Sequence, residues 1–534
     1  MANLVINAYF GYRPGTAPRL LRPGQAVQAV NADLRDGNLV AFGGLMQEAT
    51  LTKAGTLQTL FRWGSTWFSW TQDVDVVLGP VANDTENRVY WTGEGAPKMS
   101  YAGLATGGGG TDYPTGSYDI GVPAPTSAIT ATVTGTATDP NSTPEYRTYV
   151  ETFLSAKGEE GPPSPISAQV TWRDGQSVDL TNLNPNPGGN RNLNRRRIYR
   201  TDVGATAAEF QLVDTIDIAT TTYTDTVATT NLGDVLASAE WDPPPSDLAG
   251  LTAMPNGILA GFRNNEVCFC EPFLPHAWPV AYRQQSTDDI VGLGAFGNTL
   301  LAATTSYPLL LSGAHPASMG MVKGEVPFPC VAKRALVDLG YSIIYPGPKG
   351  PVVGDTNGMR LLEGIWTPDQ WAALNPTSMH AYRLFDRWLV FYDNGTPGAF
   401  LLDPAGQRLT DIDLGATVTA GWTAPDTGTF YAVVGSDVQS FGAGAALTAR
   451  WRSGEVLMPH PVNLGFGQLE ADAYPVTLRL YGDGALQVTQ SVVSSRVFVL
   501  PLGYEARSYE VELEGTASIG RLKLAESAEE LNSL

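Results

Sequence analysis

Between Leu251 and Ala446 a short apolar or aromatic run returns five times, each time set behind a Gly, Asn or Asp turn. The runs are Gly257-Ile-Leu-Ala-Gly-Phe262, Gly297-Asn-Thr-Leu-Leu-Ala-Ala303, Gly340-Tyr-Ser-Ile-Ile-Tyr345, Asp386-Arg-Trp-Leu-Val-Phe-Tyr392 and Gly428-Thr-Phe-Tyr-Ala-Val-Val434. Anchored on Ile258, Leu300, Ile343, Leu389 and Phe430, the steps are 42, 43, 46 and 41 residues. That is the length of one four-stranded propeller blade. The pattern predicts an all-β chain with a β-propeller over residues 46–122 and 246–446.

The rest of the chain reads differently. Residues 1–45 look like an N-terminal arm followed by a short helical turn over Gly24–Leu34, placed between Pro23 and Gly37. Leu57 to Trp91 is rich in aromatics and suits one further blade or part of one. Residues 123–245 turn to Thr/Val-rich alternation between Val122-Pro-Ala-Pro125 and Asp242-Pro-Pro-Pro245, the signature of an inserted β-sandwich. Residues 447–534 alternate again around Gly482-Asp-Gly484 and predict a small C-terminal β domain, closed by an acidic tail that is a frayed helix or a contact segment.

At 534 residues and a net charge of −20, the chain can bury a large core, and its charge opposes binding to nucleic-acid phosphates. Three cysteines exclude a disulfide framework. Cys268 and Cys270 share a strand face but are too far apart for a relaxed bridge, and Cys330 stands among prolines, so all three read as small buried hydrophobes. The start carries no basic, apolar leader, and no run of about 18 apolar residues occurs anywhere. A protein made in the cytoplasm without membrane insertion is expected.

Catalytic patterns are weak. The four histidines, 276, 315, 380 and 460, have no metal-ligand spacing, and no Gly-x-Ser-x-Gly elbow is present. Gly107–Gly110 lacks the Lys-Ser/Thr and helix that a phosphate cradle needs, so it reads as a linker. Asp73-Val-Asp75 and Asp411-Ile-Asp413 read as solvated strand carboxylates rather than calcium ligands. Asn83, Asn141 and Asn394 match glycosylation acceptors that mean nothing without a leader. The tryptophans at 63, 67, 70, 91, 366, 371, 388 and 422 read as blade core before sugar floor. One basic cluster, Arg191, Arg195, Arg196, Arg197 and Arg200, is either a charged strand edge or a docking surface for an acidic neighbour. No catalytic, cofactor-binding or metal-ligating residue is assigned, and no cofactor is expected.

Two passages carry a resemblance. The order of Ser155-Ala-Lys-Gly-Glu-Glu-Gly-Pro-Pro-Ser-Pro165, Arg196-Arg-Ile-Tyr-Arg200 and Thr221-Thr-Tyr-Thr-Asp225 resembles a fibronectin type III-like module of tailed-bacteriophage virion proteins. Phe10-Gly-Tyr-Arg-Pro14, followed by Leu20-Leu-Arg-Pro-Gly-Gln-Ala-Val-Gln-Ala-Val-Asn-Ala-Asp-Leu-Arg-Asp-Gly37, is similar to the opening of tail hub or nozzle proteins of short-tailed phages. The resemblance implies a virion structural protein of the tail, assembled in the host cytoplasm. Its copies would form a ring, commonly a hexamer, that continues the DNA-ejection channel below portal and adaptor and anchors fibres or spikes. DNA would pass through without specific binding. Interface residues are then expected at Arg13, Pro14, Leu20, Leu21 and Asn31 in the arm, which would cross to another subunit or the adaptor, and at Arg195, Arg196 and Arg197 in the insertion. The competing readings are a propeller glycan hydrolase, which needs convergent carboxylates, and a carbohydrate-binding adhesin.

Overall fold

A computed structural model describes residues 3–22, 24–81, 84–201, 209–406 and 408–533. Pro23 and the Asn83 acceptor lie outside the described residues. The chain divides into two compact units, one of residues 1–72, 303–308 and 323–534, the other of residues 73–302 and 309–322. Both are built almost wholly of short antiparallel sheets.

In the second unit the chain makes four-stranded meanders in which each strand pairs with the next. The first runs Asp75–Leu78, Val89–Thr92, Lys98–Ser100 and Tyr118–Asp119. Another runs Ala249–Met254, Ile258–Arg263, Glu266–Phe269 and Gln284–Gln285, and the next starts with Ile290–Phe296 and Thr299–Thr304. The first unit repeats the device with Val337–Asp338, Ile343–Gly347, Gly350–Asp355 and Gly358–Leu361, then with His380–Leu384, Arg387–Asp393, Pro397–Asp403 and Arg408–Asp411. A final meander, Ala420–Thr423, Phe430–Val434 and Asp437–Ala446, receives its fourth strand from the far end of the sequence, Gly43–Thr50.

All five repeat anchors fall on the second strand of a four-strand meander, four of them in separate four-stranded sheets and Leu389 in a ten-stranded sheet that continues through Ala26–Val30, and none is more than 1% exposed. Chemistry at the preceding turns explains the rhythm. Asn256 and Gly257 both take positive φ, 64° and 72°, and Gly428 takes 70°, conformations that Asn and Gly adopt at least cost. The aromatic stretch from Leu57 splits into a separate hairpin, Thr59–Trp63 with Thr66–Trp70, and the first strands of the 75–119 meander. Trp70, Trp91, Trp371 and Trp388 are fully buried, so core is the right reading for them.

Residues 130–225 form two three-stranded sheets around one core. Thr130–Thr134, Ser177–Thr181 and Tyr223–Asp225 make one; Tyr149–Ser155, Leu193–Thr201 and Phe210–Asp217 make the other. Val178 and Leu180 from the first meet Tyr149 and Ile198 from the second. The inserted segment is therefore a β-sandwich. Its Leu193–Thr201 strand is central, hydrogen-bonded on both sides, which removes the strand-edge reading of the arginine cluster.

The N-terminal expectations need correction. Gly24–Leu34 is not helical: Ala26–Val30 is a strand paired antiparallel with Ala449–Ser453, and Ala32–Asp33 is a second short strand. Ala26 and Ala29, spaced as on a helix face, are both buried here against a sheet neighbour more than four hundred residues away. Nor is the segment an arm free to cross to another subunit. Asn3–Ile6 pairs with Ile519–Ala525, and Leu4, Ile6, Tyr9, Ala32, Leu34 and Leu39 are buried in the same core as Trp451, Leu478 and Leu513. The C-terminal domain is thus completed by strands Asn3–Ile6 and Ala26–Val30 and by Tyr9, Leu34 and Leu39. Its strand Val476–Gly482 alternates buried and half-buried without a break, as the sequence pattern demands. The acidic tail ends as the helix Ala528–Ser533, tied in by buried Leu531.

Candidate functional site

In the first unit a cavity of about 650 Å³ opens beside the 380–411 meander. Strands His380–Leu384 and Arg387–Asp393 supply His380, Phe391 and Asp393, and Pro397–Asp403 supplies Ala399. The loop 412–419 that follows the meander forms another wall, and Gln58 and Arg334 come from two further segments. Alternation explains why a histidine and a phenylalanine lie together: His380 pairs directly with Phe391 across the strands, and their rings stack with centroids 5.3 Å apart and an angle of 16°.

The polar groups here are unevenly satisfied. Arg334 Nη2 donates to the carbonyls of Gln58 at 2.6 Å and Thr419 at 2.8 Å, so the guanidinium ties two loops to its own segment. His380 is 9% exposed, and burial with the nearby Arg334 charge pushes its imidazole down to about 3, which keeps it neutral at ordinary pH. The Val418 backbone partly offsets that shift, and Nδ1 is buried with no hydrogen-bond partner. The hydroxyl oxygen of Thr419 is also buried without a partner. At the rim, Asp393 and Asp413 each accept a backbone N–H two residues on, from Gly395 at 2.9 Å and Gly415 at 3.0 Å. The cavity thus carries one guanidinium and two carboxylates, while His380 and Phe391 stack on each other, and Phe391 also on Phe430, as part of the core beneath it.

A second cluster of ionisable groups binds elements together. Tyr12 Oη donates to Asp411 at 2.5 Å, and burial lifts the Asp411 carboxyl to about 6. The expectation of a solvated carboxylate fails here because strand Arg408–Asp411 lies beside Ala26–Val30 and is covered by Tyr12. Asp75 likewise is engaged, accepting from the Gly250 N–H at 3.0 Å.

The third cluster is the sandwich's own. Arg196 donates to Glu151 at 2.6 Å, with both side chains at most 1% exposed, and also to the Ile218 carbonyl. Arg200 pairs with buried Asp225, which also accepts from Tyr149 Oη at 2.8 Å. On the opposite face Arg197 pairs with Glu160 at 2.7 Å, and Glu160 accepts from Thr152 and Tyr199 as well. Arg147 packs its guanidinium 3.5 Å above the Trp172 ring.

The residues expected at interfaces therefore separate. Leu20, at 68% exposed, and Arg195 face solvent; Arg13, Pro14 and Leu21 are half-buried. Arg13 donates to the Gly406 carbonyl and the Pro14 carbonyl accepts from Gln370, both within this chain. Asn31 is buried, with φ of 53°, and exchanges bonds with Asp413. Arg196 is inaccessible to any partner, and Arg197 is committed to Glu160. The cysteines match their expectation: all three are free and buried. Sequence reasoning missed His380 and Thr419, which sit 39 residues apart with no motif between them; only the direct His380–Phe391 pairing of a hairpin was in principle readable.

Among the described residues no group of three His, Cys, Asp or Glu side chains is placed to hold a metal, and no helix is long and apolar enough to cross a membrane. No family model matches the chain, and no curated protein does. Among solved structures, similarity extends to U3-55K, with 8% identity and a TM-score of 0.29 over 74% of this chain and 100% of that one. The RRP9 WD40 repeats give 9% and 0.28 over 74% and 99%. Hsv2 of Kluyvelomyces marxianus gives 9% and 0.24 over 52% and 71%. Likenesses this distant carry no argument about function.

Proposed function

We propose that the chain is a β-propeller protein of a bacteriophage tail, a hub or nozzle subunit whose copies form a ring around the DNA-ejection path. The observation that carries the reading is the placement of all five anchors on the second strand of a four-strand antiparallel meander, the construction of propeller blades. One of those sheets takes its last strand, Gly43–Thr50, from the opposite end of the sequence, as a propeller does when it locks its first and last blades together. The sandwich, read as the fibronectin type III-like module, interrupts the array once between Asp119 and Ala249.

Physical chemistry agrees with a conduit. Sheets hydrogen-bonded strand by strand are stiff, and a net charge of −20 disfavours adhesion of passing phosphates. A ring of identical subunits closes through heterologous contacts that repeat by rotation. Since Asn3–Ile6 and Ala26–Val30 are paired inside their own chain, the ring contacts in this reading come from exposed surface. Leu457, Val493, Val499 and Leu502, each more than 60% exposed, offer such surface on the C-terminal domain. Portal, adaptor and fibre proteins are the partners in this reading.

Native mass spectrometry of the purified chain, with negative-stain imaging, tests it. A closed ring with a central hole, formed alone or on adding portal and adaptor, is the expected result. A strict monomer under all these conditions, together with cleavage of capsule or lipopolysaccharide glycans, overturns it in favour of a hydrolase.

A further inference from the structure

We infer that the strand Ala485–Val492 is an interface at which two copies of this chain pair edge to edge about a two-fold axis, joining their sheets into one. The inference does not rest on the tail reading, because a two-fold contact is separate from the rotational contacts that close a ring.

Ala485–Val492 ends the ten-stranded sheet. Among the described residues it pairs with Val476–Gly482 alone, so its other side presents backbone N–H and C=O groups outside any ladder. Soluble proteins guard such edges with Lys, Pro, a bulge or brevity. This strand is eight residues long, where about five or six is usual. Residues 485–495 hold no charged side chain and no proline, in a chain that is 16% charged. One guard is present: the register shift opposite Leu480 and Tyr481 makes Gln487 a bulge, which leaves residues 488–492 as the regular part of the edge.

Charge and fit select a second copy as the occupant. Two chains of net charge −20 repel, and a strip free of carboxylates is where they meet at least cost. An antiparallel edge is also self-complementary under a two-fold axis. Gln490 is the middle of the regular part, and pairing centred on it sets like against like. Val488 faces Val492 of the second copy, both buried on the core side, and Thr489 faces Ser491 of the second copy, both exposed on the outer side. A slip of one residue would run the core face of one sheet into the outer face of the other. Leu486, 52% exposed, and Val493, 73% exposed, flank the regular part and are covered by the pairing. Leu457, Val499 and Leu502 lie outside the strip and remain for other contacts.

Sedimentation velocity and native mass spectrometry of the full chain, over about 1–100 μM, read the pairing. Association in twos that grows with concentration is expected, with slower amide exchange at residues 488–492 in the concentrated sample. Thr489→Glu combined with Ser491→Glu sets two like-charged pairs across the axis and should weaken the contact roughly tenfold or more. Thr489→Glu combined with Ser491→Lys sets Glu against Lys twice and should restore it. Both positions face solvent, and Thr489 pairs with Arg479 in its own hairpin, so a glutamate there suits the folded monomer; an unchanged melting temperature checks this. A wild-type chain that stays monomeric throughout, association that the double glutamate leaves intact, or no recovery with the Glu and Lys combination would each overturn the inference. Rings that persist in the double glutamate would overturn it and leave the tail reading standing, whereas two-fold dimers that never form rings would support it and count against the tail reading.

Discussion

Asp411 should make this protein more stable as an asparagine than as an aspartate at neutral pH, and the difference should vanish in acid. Its carboxyl is lifted from an ordinary 3.8 to about 6, with burial as the cause and the hydrogen bond from Tyr12 only partly offsetting it. The folded protein therefore holds this proton more tightly than the unfolded chain does. That contribution is fully present below pH 3.8 and is lost as pH rises through about 6. A shift of roughly two units corresponds to about 3 kcal/mol of destabilisation by the ionised form at neutral pH and above. Asparagine is isosteric, keeps an oxygen for the Tyr12 proton and carries no charge.

The expected gain for Asp411→Asn is thus up to about 3 kcal/mol near pH 8 and close to zero near pH 4. The wild-type curve alone will not isolate it, because two buried histidines act in the opposite sense. His276 and His380 are held down to about 4 and about 3 by burial, so the stability tied to their neutral forms is complete above pH 6.5 and falls as pH drops below it. Subtracting variant from wild type removes that background. Urea unfolding across the pH range supplies the difference curve, and amide exchange in Arg408–Asp411 and Ala26–Val30 localises it. A variant less stable than wild type at pH 8, or a difference that does not change between pH 4 and pH 8, would refute the reasoning.

Other expectations follow from buried charge and buried thiols. Glu151→Gln strands Arg196 without its counter-charge in a site closed to water and weakens the bonds to Asn184; a loss of about 3–5 kcal/mol from the sandwich is expected, read as faster amide exchange over Tyr149–Ser155. The thiols of Cys268, Cys270 and Cys330 are each pushed up to about 12 by burial, so a disulfide reagent at pH 8 should modify none of them in the native protein and all three after denaturation.

What the sequence by itself determined is what near neighbours decide. Alternation with period two, broken by Asn256-Gly257 or Gly428 at positive φ, places strand and turn without reference to anything distant, and so the anchor positions landed on equivalent strands. The composition of the 123–245 insertion was enough for a sandwich for the same reason. Pairing across the sequence was decided only by the tertiary structure. Ala26–Val30 carries a spacing that suits a helix, and became a strand because Ala449–Ser453 offered its backbone a partner. Arg196, Arg197 and Arg200 read as one exposed basic cluster along the chain. The pleat sent Arg196 and Arg197 to opposite faces, and Glu151, Glu160 and Asp225, lying 25–45 residues away, neutralised the three. Whether a charge is a surface or a core element depends on what stands across from it, and one-dimensional pattern does not hold that information. The same reason hid the cavity, whose polar atoms come from segments around 58, 334, 380 and 419 and meet only when the sheets are assembled.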